Sequence, residues 1–166
     1  MKGLSKKEIK VISDLEFRKM YYFTIAEIKS HFENKRQMIN IIYTLRKKGR
    51  IIKLNKDKYF LVPIKSRTGK WTDDPIIITD EICNSSDYFI GGWMAANYWK
   101  LTDQIPMQVD VYTTKRQGKI NILNTKIVFH RTTKKRIKDA VIKNVGSHNF
   151  KIQNKKDTRK WMKSRE

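Results

Sequence analysis

The chain is poor in the residues that mark secreted proteins, membrane proteins and most enzymes. Its single cysteine, Cys83, has no second cysteine with which to form an internal disulfide. No run of apolar residues approaches the ~20 needed to span a bilayer. The basic start, Met-Lys-Gly-Leu-Ser-Lys-Lys, leads into polar amphipathic sequence rather than the apolar core of a signal peptide. There is no Cys/His cluster of zinc-binding spacing and no Walker-type phosphate loop. His31, His130 and His148 have no sequence-near serine, cysteine or acid in a triad-like arrangement. Gly91-Gly92 ahead of Asp110 faintly echoes a nucleotidyltransferase, but that chemistry needs paired carboxylates to hold two metal ions. Here Asp110 is followed by Val111 and Tyr112. The expectation is a cytoplasmic non-enzyme with no cofactor, no metal and no membrane partner.

Charge is what the chain has in excess. The 166 residues carry a formal net charge of +21, unevenly spread. In residues 1–65, 17 Lys and Arg face 6 Asp and Glu; in 66–130, 7 face 7; in 131–166, 13 face 3. A lysine-rich composition with no binding role would spread its charge evenly, and the neutral middle argues against that. Two basic ends favour a polyanion, whose condensed counterions are released on contact. Nucleic acid is the expected partner.

Helix signals open the chain. Ser5 followed by Glu8 is a capping-box pair, and Ile9, Ile12 and Leu15, widened by Phe17 and Met20, predict a scaffold helix over 5–20. Tyr21, Tyr22 and Phe23 read as an aromatic bridge packed under the domain. Thr24 with Glu27 caps a second helix whose buried face is Ile25, Ile28 and Phe32. Asn34 with Gln37 opens a third, on which Met38, Ile41, Ile42 and Leu45 fall on one side. The other side carries Lys35, Arg36, Asn40, Tyr43 and Lys47, with Gln37 and Thr44 along one shoulder. These types read base edges and phosphates: Arg forks onto guanine, Asn and Gln pair with adenine, Thr and Tyr meet methyls and phosphates.

Gly49 ends the third helix. Two short β runs, Ile51 to Lys53 and Tyr59 to Leu61, then flank the turn Asn55-Lys56-Asp57. Lys53, Lys56 and Lys58 cluster there, where a hairpin can follow a phosphate strand without specifying sequence. Residues 24–62 thus read as a winged helix-turn-helix within a domain spanning 1–64, followed by a polar linker over 65–72. An α+β module is expected over 73–137. It comprises a short acidic helix or turn after Asp73-Asp74-Pro75, a helix over 88–101 opened by Gly91-Gly92, and strands over 107–114, 120–123 and 126–130. Small residues at Gly92, Ala95 and Ala96 let another backbone approach. Residues 138–166 form a basic C-terminal segment. It holds a small strand or hairpin and a helix start at Asp157-Thr-Arg-Lys-Trp-Met, and fits a second nucleic-acid contact, an acidic-partner dock or a solubilising tail.

A winged helix followed by residues 88–99, then Leu101-Thr-Asp-Gln-Ile-Pro106 and Val109-Asp-Val-Tyr-Thr-Thr-Lys-Arg116, resembles the AbiEi family of antitoxins and predicted viral-defence regulators. The resemblance covers most of residues 5–137, and its Gly-Gly-Trp to Leu-Thr-Asp-Gln-Ile-Pro stretch is the specific part. It implies an α+β protein whose winged helix represses its own type IV toxin–antitoxin operon. In that family the C-terminal module counteracts a nucleotidyltransferase toxin without needing a stable complex. The DNA partner is expected to be a double-stranded operator with an inverted repeat. The alternative reading is a general nucleic-acid-binding adaptor or transcriptional regulator without a toxin partner.

Overall fold

The computed structural model describes residues 3–66, 73–146 and 148–165. The chain divides into two compact units, Met1–Trp71 and Thr72–Glu166. Among the described residues it is a mixed α+β fold with seven α-helices, a three-stranded antiparallel sheet and a six-stranded mixed sheet. No helix of the described residues is long and apolar enough to cross a membrane. Residues 67–72 of the expected linker lie outside the described residues.

In the first unit, α1 is Lys6–Phe17. The Ser5 hydroxyl accepts from the Glu8 N–H at 3.3 Å while the Glu8 carboxylate accepts from the Ser5 N–H at 2.6 Å. Two donors that the helix start leaves unpaired are thereby satisfied. The helix stops at Phe17, short of the predicted residue 20, because Lys19 turns left-handed at φ 55°. Lys19 and Met20 then donate back to the carbonyls of Glu16 and Leu15 at 3.0 and 2.8 Å, a Schellman closure. Val11, Ile12 and Leu15 are buried; Ile9 and Phe17 face solvent, which corrects the wider stripe read from the sequence.

Tyr22–Thr24 forms β1 rather than a bridge. It pairs with β3 (Lys58–Leu61), which also pairs with β2 (Ile51–Lys53). Phe23 is buried and stacks on Tyr59 at 5.8 Å. Between β1 and β2 run α2 (Ile25–Ile28), a 3-10 turn (Lys29–His31) and α3 (Lys35–Lys47). The Glu27 carboxylate accepts from the Thr24 N–H at 2.6 Å and hydroxyl at 2.8 Å. Ile28, Met38, Ile42 and Leu45 close the core against Ile12, Leu15 and Phe23.

One ion pair ties this unit together. Lys48, the C-cap of α3, places its ammonium 2.8 and 2.6 Å from the two carboxylate oxygens of buried Glu8. Burial pushes the Glu8 carboxyl up, but the Lys48 ammonium and the Ser5 N–H outweigh it and bring it from an ordinary 4.5 down to about 2.

The second unit contains α4 (Pro75–Cys83), β4 (Tyr88–Gly91), α5 (Gly92–Tyr98), β5 (Val109–Thr113), β6 (Gly118–Ile122), β7 (Thr125–Arg131), α6 (Lys134–Lys138), β8 (Val141–Val145), β9 (His148–Ile152) and α7 (Lys155–Lys163). Its sheet runs β6-β7-β5-β4-β9-β8, with β5/β7 and β4/β9 parallel and the other neighbours antiparallel. Residues 88–91, expected to start a helix, are a fully buried strand. An unbroken apolar run suits either element, and here the strand pairs on both sides. The helix starts at Gly92, whose φ of +61° favours glycine. A Cβ there would lie 2.7 Å from Asp110 Oδ2, and one on Gly91 2.6 Å from Tyr112 Cε2. The approach these small residues permit is therefore that of β5 side chains.

Residues 138–166, expected as a separate segment, belong to this unit. Hairpin β8–β9 completes the sheet, with Ile152 opposite Ile90 and Phe150 and Ile152 buried. Trp99 Nε1 donates to the Gln153 carbonyl at 2.8 Å. Buried Asp80 holds the same junction. It accepts from the Tyr88 hydroxyl and from Ser85 Oγ at 2.7 Å, and His148 Nε2 lies 2.8 Å away. Burial and the Asp80 carboxylate push the Tyr88 phenol far up. Burial likewise pushes the Cys83 thiol up to about 12.

Because Glu8 has its carboxyl lowered by folding, its contribution is complete above its unfolded-state value and is lost as pH falls through about 2. The shift corresponds to about 3 kcal/mol. In urea unfolding, the stability gap between the native chain and Glu8→Gln should be present near neutrality and shrink as pH falls below about 4. Lys48→Met should cost about 3–5 kcal/mol at neutral pH by stranding the buried carboxylate. A pH-independent gap would show that the pair contributes nothing as a charge.

Candidate nucleic-acid interface

The geometry of α3 follows from its ends and its buried stripe. At the start, Asn34 Oδ1 accepts from the Gln37 N–H at 2.9 Å, while Gln37 Oε1 accepts from the Glu33 N–H at 3.2 Å. At the end, Gly49 adopts φ 70°, and Gly49 and Arg50 donate to the carbonyls of Arg46 and Leu45, both at 2.9 Å. With Met38, Ile42 and Leu45 buried, the outward face is decided.

Five of the seven α3 residues singled out in the sequence share that face: Lys35, Arg36, Asn40, Tyr43 and Lys47 are all exposed. The other two do not. Gln37 is half-buried and committed to the helix start, and half-buried Thr44 donates its hydroxyl to the Ile41 carbonyl at 3.0 Å. Two residues absent from the sequence-based set join the face, Ile39 and Arg46. Ile39 is 51% exposed, so an apolar side chain stands among the cations where it can meet a thymine methyl. Its position, three after Arg36 and four before Tyr43, was the available signal. In the run Met-Ile-Asn-Ile-Ile it resembles core.

The electrostatics of this face are unneutralised. Among the described residues, none of Lys35, Arg36, Arg46, Lys47, Lys53 and Lys56 takes part in an ion pair. Lys35 and Arg36 occupy the first turn, which contains no acidic residue, where the helix dipole disfavours cations. The helix gains nothing from them there, whereas a bound anion would.

The β2–β3 hairpin is held by Asn55, whose Oδ1 accepts from the Asp57 and Lys58 N–H groups at 3.0 and 2.9 Å. Lys53 and Lys56 are exposed on it. Lys58 is half-buried in β3, opposite Thr24 of β1, and so lies in the sheet rather than at the tip.

In the second unit, Asp110 is buried. Its Oδ1 lies 2.8 Å from His130 Nε2 and accepts from Gln108 Nε2 at 3.2 Å. Tyr112 stacks between Phe89 at 5.0 Å and His130 at 4.9 Å. Among the described residues no group of three or more His, Cys, Asp and Glu is placed to hold a metal ion.

No protein-family model matches the chain, and no curated protein matches it in sequence. Among solved structures it is similar to the RV2827C protein from Mycobacterium tuberculosis, with a TM-score of 0.55 and 13% identity. That match covers 80% of this chain and 48% of the other, so the chain spans about half the length of that protein. At this identity the likeness concerns the fold.

Replacing Lys53 and Lys56 with glutamine should flatten the dependence of log affinity on log salt by about 0.9 for each phosphate no longer neutralised, on any DNA duplex. Adding Lys58→Gln should change the slope little further, since that side chain lies in the sheet. An unaltered slope in the double variant would remove the hairpin from the interface.

Proposed function

We propose that residues 24–62 act as a winged helix-turn-helix that reads double-stranded DNA. In this reading α2 and the 3-10 turn support α3, α3 enters the major groove, and the β2–β3 hairpin is the wing on the backbone. The observation that carries it is the outward face of α3, where unpaired Lys35, Arg36, Arg46 and Lys47 surround Ile39, Asn40 and Tyr43. A major groove about 12 Å wide admits one such helix, and its base edges distinguish all four base pairs. Arg36 and Asn40 are the base readers, Ile39 and Tyr43 the apolar contacts, and Lys35, Arg46, Lys47, Lys53 and Lys56 the phosphate anchors.

The resemblance to AbiEi antitoxins extends this to biology. We read the protein as the autorepressor and antitoxin of a type IV toxin–antitoxin operon with a nucleotidyltransferase toxin, acting in antiviral defence. An inverted-repeat operator would seat two copies, with half-sites about 34–36 Å apart or a multiple of that. Asp110, packed against Gly92 and His130, serves the fold in this reading rather than catalysis.

Selection from a random DNA pool followed by shift assays tests the DNA reading. Bidentate contacts contribute about 1–3 kcal/mol of discrimination each. Arg36→Ala with Asn40→Ala should therefore cut the preference for the selected sequence about 30-fold or more while leaving salt-sensitive binding. Unchanged preference would sink the assignment of α3. The antitoxin reading is tested by co-expression with a neighbouring nucleotidyltransferase gene. Rescue of growth is expected; failure of rescue with intact operator binding would leave a regulator without a toxin.

A further inference from the structure

The last helix carries a feature that DNA reading by α3 does not use. Helix α7 reads Lys-Lys-Asp-Thr-Arg-Lys-Trp-Met-Lys. Its inner side is already occupied: Thr158 is fully buried and donates to the Asn154 carbonyl at 2.9 Å, and Trp161 meets Trp93 edge-on at 5.2 Å. Lys155, Lys156, Arg159, Lys160 and Lys163 are all exposed, and their aliphatic stems wall a shallow hollow of about 450 Å³.

Nothing among the described residues neutralises this face. None of the five cations takes part in an ion pair. The helix's acidic residue, Asp157, is half-buried and takes a hydrogen bond from Asn154 Nδ2 at 2.8 Å. Lys155 with Arg159, Lys156 with Lys160 and Arg159 with Lys163 are like charges at i,i+4, a spacing at which they repel. Lys155 and Lys156 also stand in the first turn, against the helix dipole. The Asn154 side chain donates to the Asp139 carbonyl at 3.2 Å, so α6, with Lys134, Lys135, Arg136 and Lys138 exposed, ends against the start of α7.

We propose that α7 is a second nucleic-acid site that grips the phosphate backbone without reading sequence. A nine-residue helix is about 13 Å long, equal to the rise of about four nucleotides of one strand. Its cations at 155, 159 and 163 recur every ~6 Å along that length. A lipid surface fits less well, because insertion requires the apolar side of the helix, and that side is packed against α5. The face carries lysine and arginine stems with no apolar side chain or acceptor for base edges, so it gives affinity rather than specificity. This site is independent of the assignment of α3.

The test uses the full chain and a short random-sequence duplex, with affinity measured by fluorescence anisotropy over a series of salt concentrations. Lys156→Gln, Arg159→Gln, Lys160→Gln and Lys163→Gln together should lower the slope of log affinity against log salt by about 3–4, with helix content unchanged by circular dichroism. The loss should be equal on a duplex carrying the selected sequence. The corresponding Lys→Arg set should keep the slope. A control with the same charge change, Lys100→Gln, Lys115→Gln, Lys119→Gln and Lys126→Gln, should also keep it. An unchanged slope in the α7 set would overturn the proposal and leave this face to an acidic protein. An equal loss in the control would overturn it as well, by showing diffuse attraction. Arg36→Ala with Asn40→Ala should cut sequence preference about 30-fold or more yet retain the α7 share of the slope, so failure of one site is distinguishable from failure of the other.

Discussion

What α3 can touch depends on how that helix is clamped. Met38, Ile42 and Leu45 bury one stripe of it, and the stripe opposite has no choice but to face outward. Asn34 and Gln37 fix the start, Gly49 closes the end, and Lys48 reaches back to buried Glu8 at the start of α1. That ion pair joins the first helix of the unit to the last turn of α3 across the core. A buried carboxylate left without its ammonium is strongly destabilising, so loss of either partner would disturb the end of α3. Rigid seating of this kind is what a base-reading helix requires, because hydrogen bonds to base edges tolerate little displacement.

The two units use cations under different local constraints. On α3 they are mixed with Asn40, Tyr43 and Ile39, side chains able to distinguish one base pair from another. On α7 they stand alone above a packed apolar side. Both helices place lysine or arginine in the first turn, where the dipole opposes it. The rest of the second unit is built around buried contacts instead. Asp110 sits against Gly92, and Asp80 gathers Tyr88, Ser85 and His148.

Local chemistry makes much of this legible in the sequence. The capping residues Ser5, Thr24, Asn34 and Gly49, the apolar stripe of α3 and the Asn55 turn each announce themselves within a few residues. What escapes is set by distant partners. The Tyr-Tyr-Phe segment is a strand only because β3, beyond α3 in sequence, pairs with it. Residues 88–91 look equally apolar as helix or strand, and it is β5 and β9 that decide. Residues 138–166 look like a tail by charge, yet β9 pairs in the sheet and buries Phe150 and Ile152. On the outward side of α3, Ile39 is hidden by its likeness to core and Thr44 is drawn into a backbone hydrogen bond that residue type does not reveal, whereas the Gln37 bond at the helix start is legible as part of its capping pair with Asn34.

The proposed reading puts the outward face of α3 in the major groove. Methylation interference on the DNA sequence that the chain selects from a random pool measures this directly. Methyl groups on guanine N7 line the major groove, and those on adenine N3 line the minor groove. Binding should be lost at a few guanine N7 positions in each half-site, with adenine N3 methylation tolerated at the same base steps. Interference confined to adenine N3, or none at any base, would mean that α3 does not read the major groove.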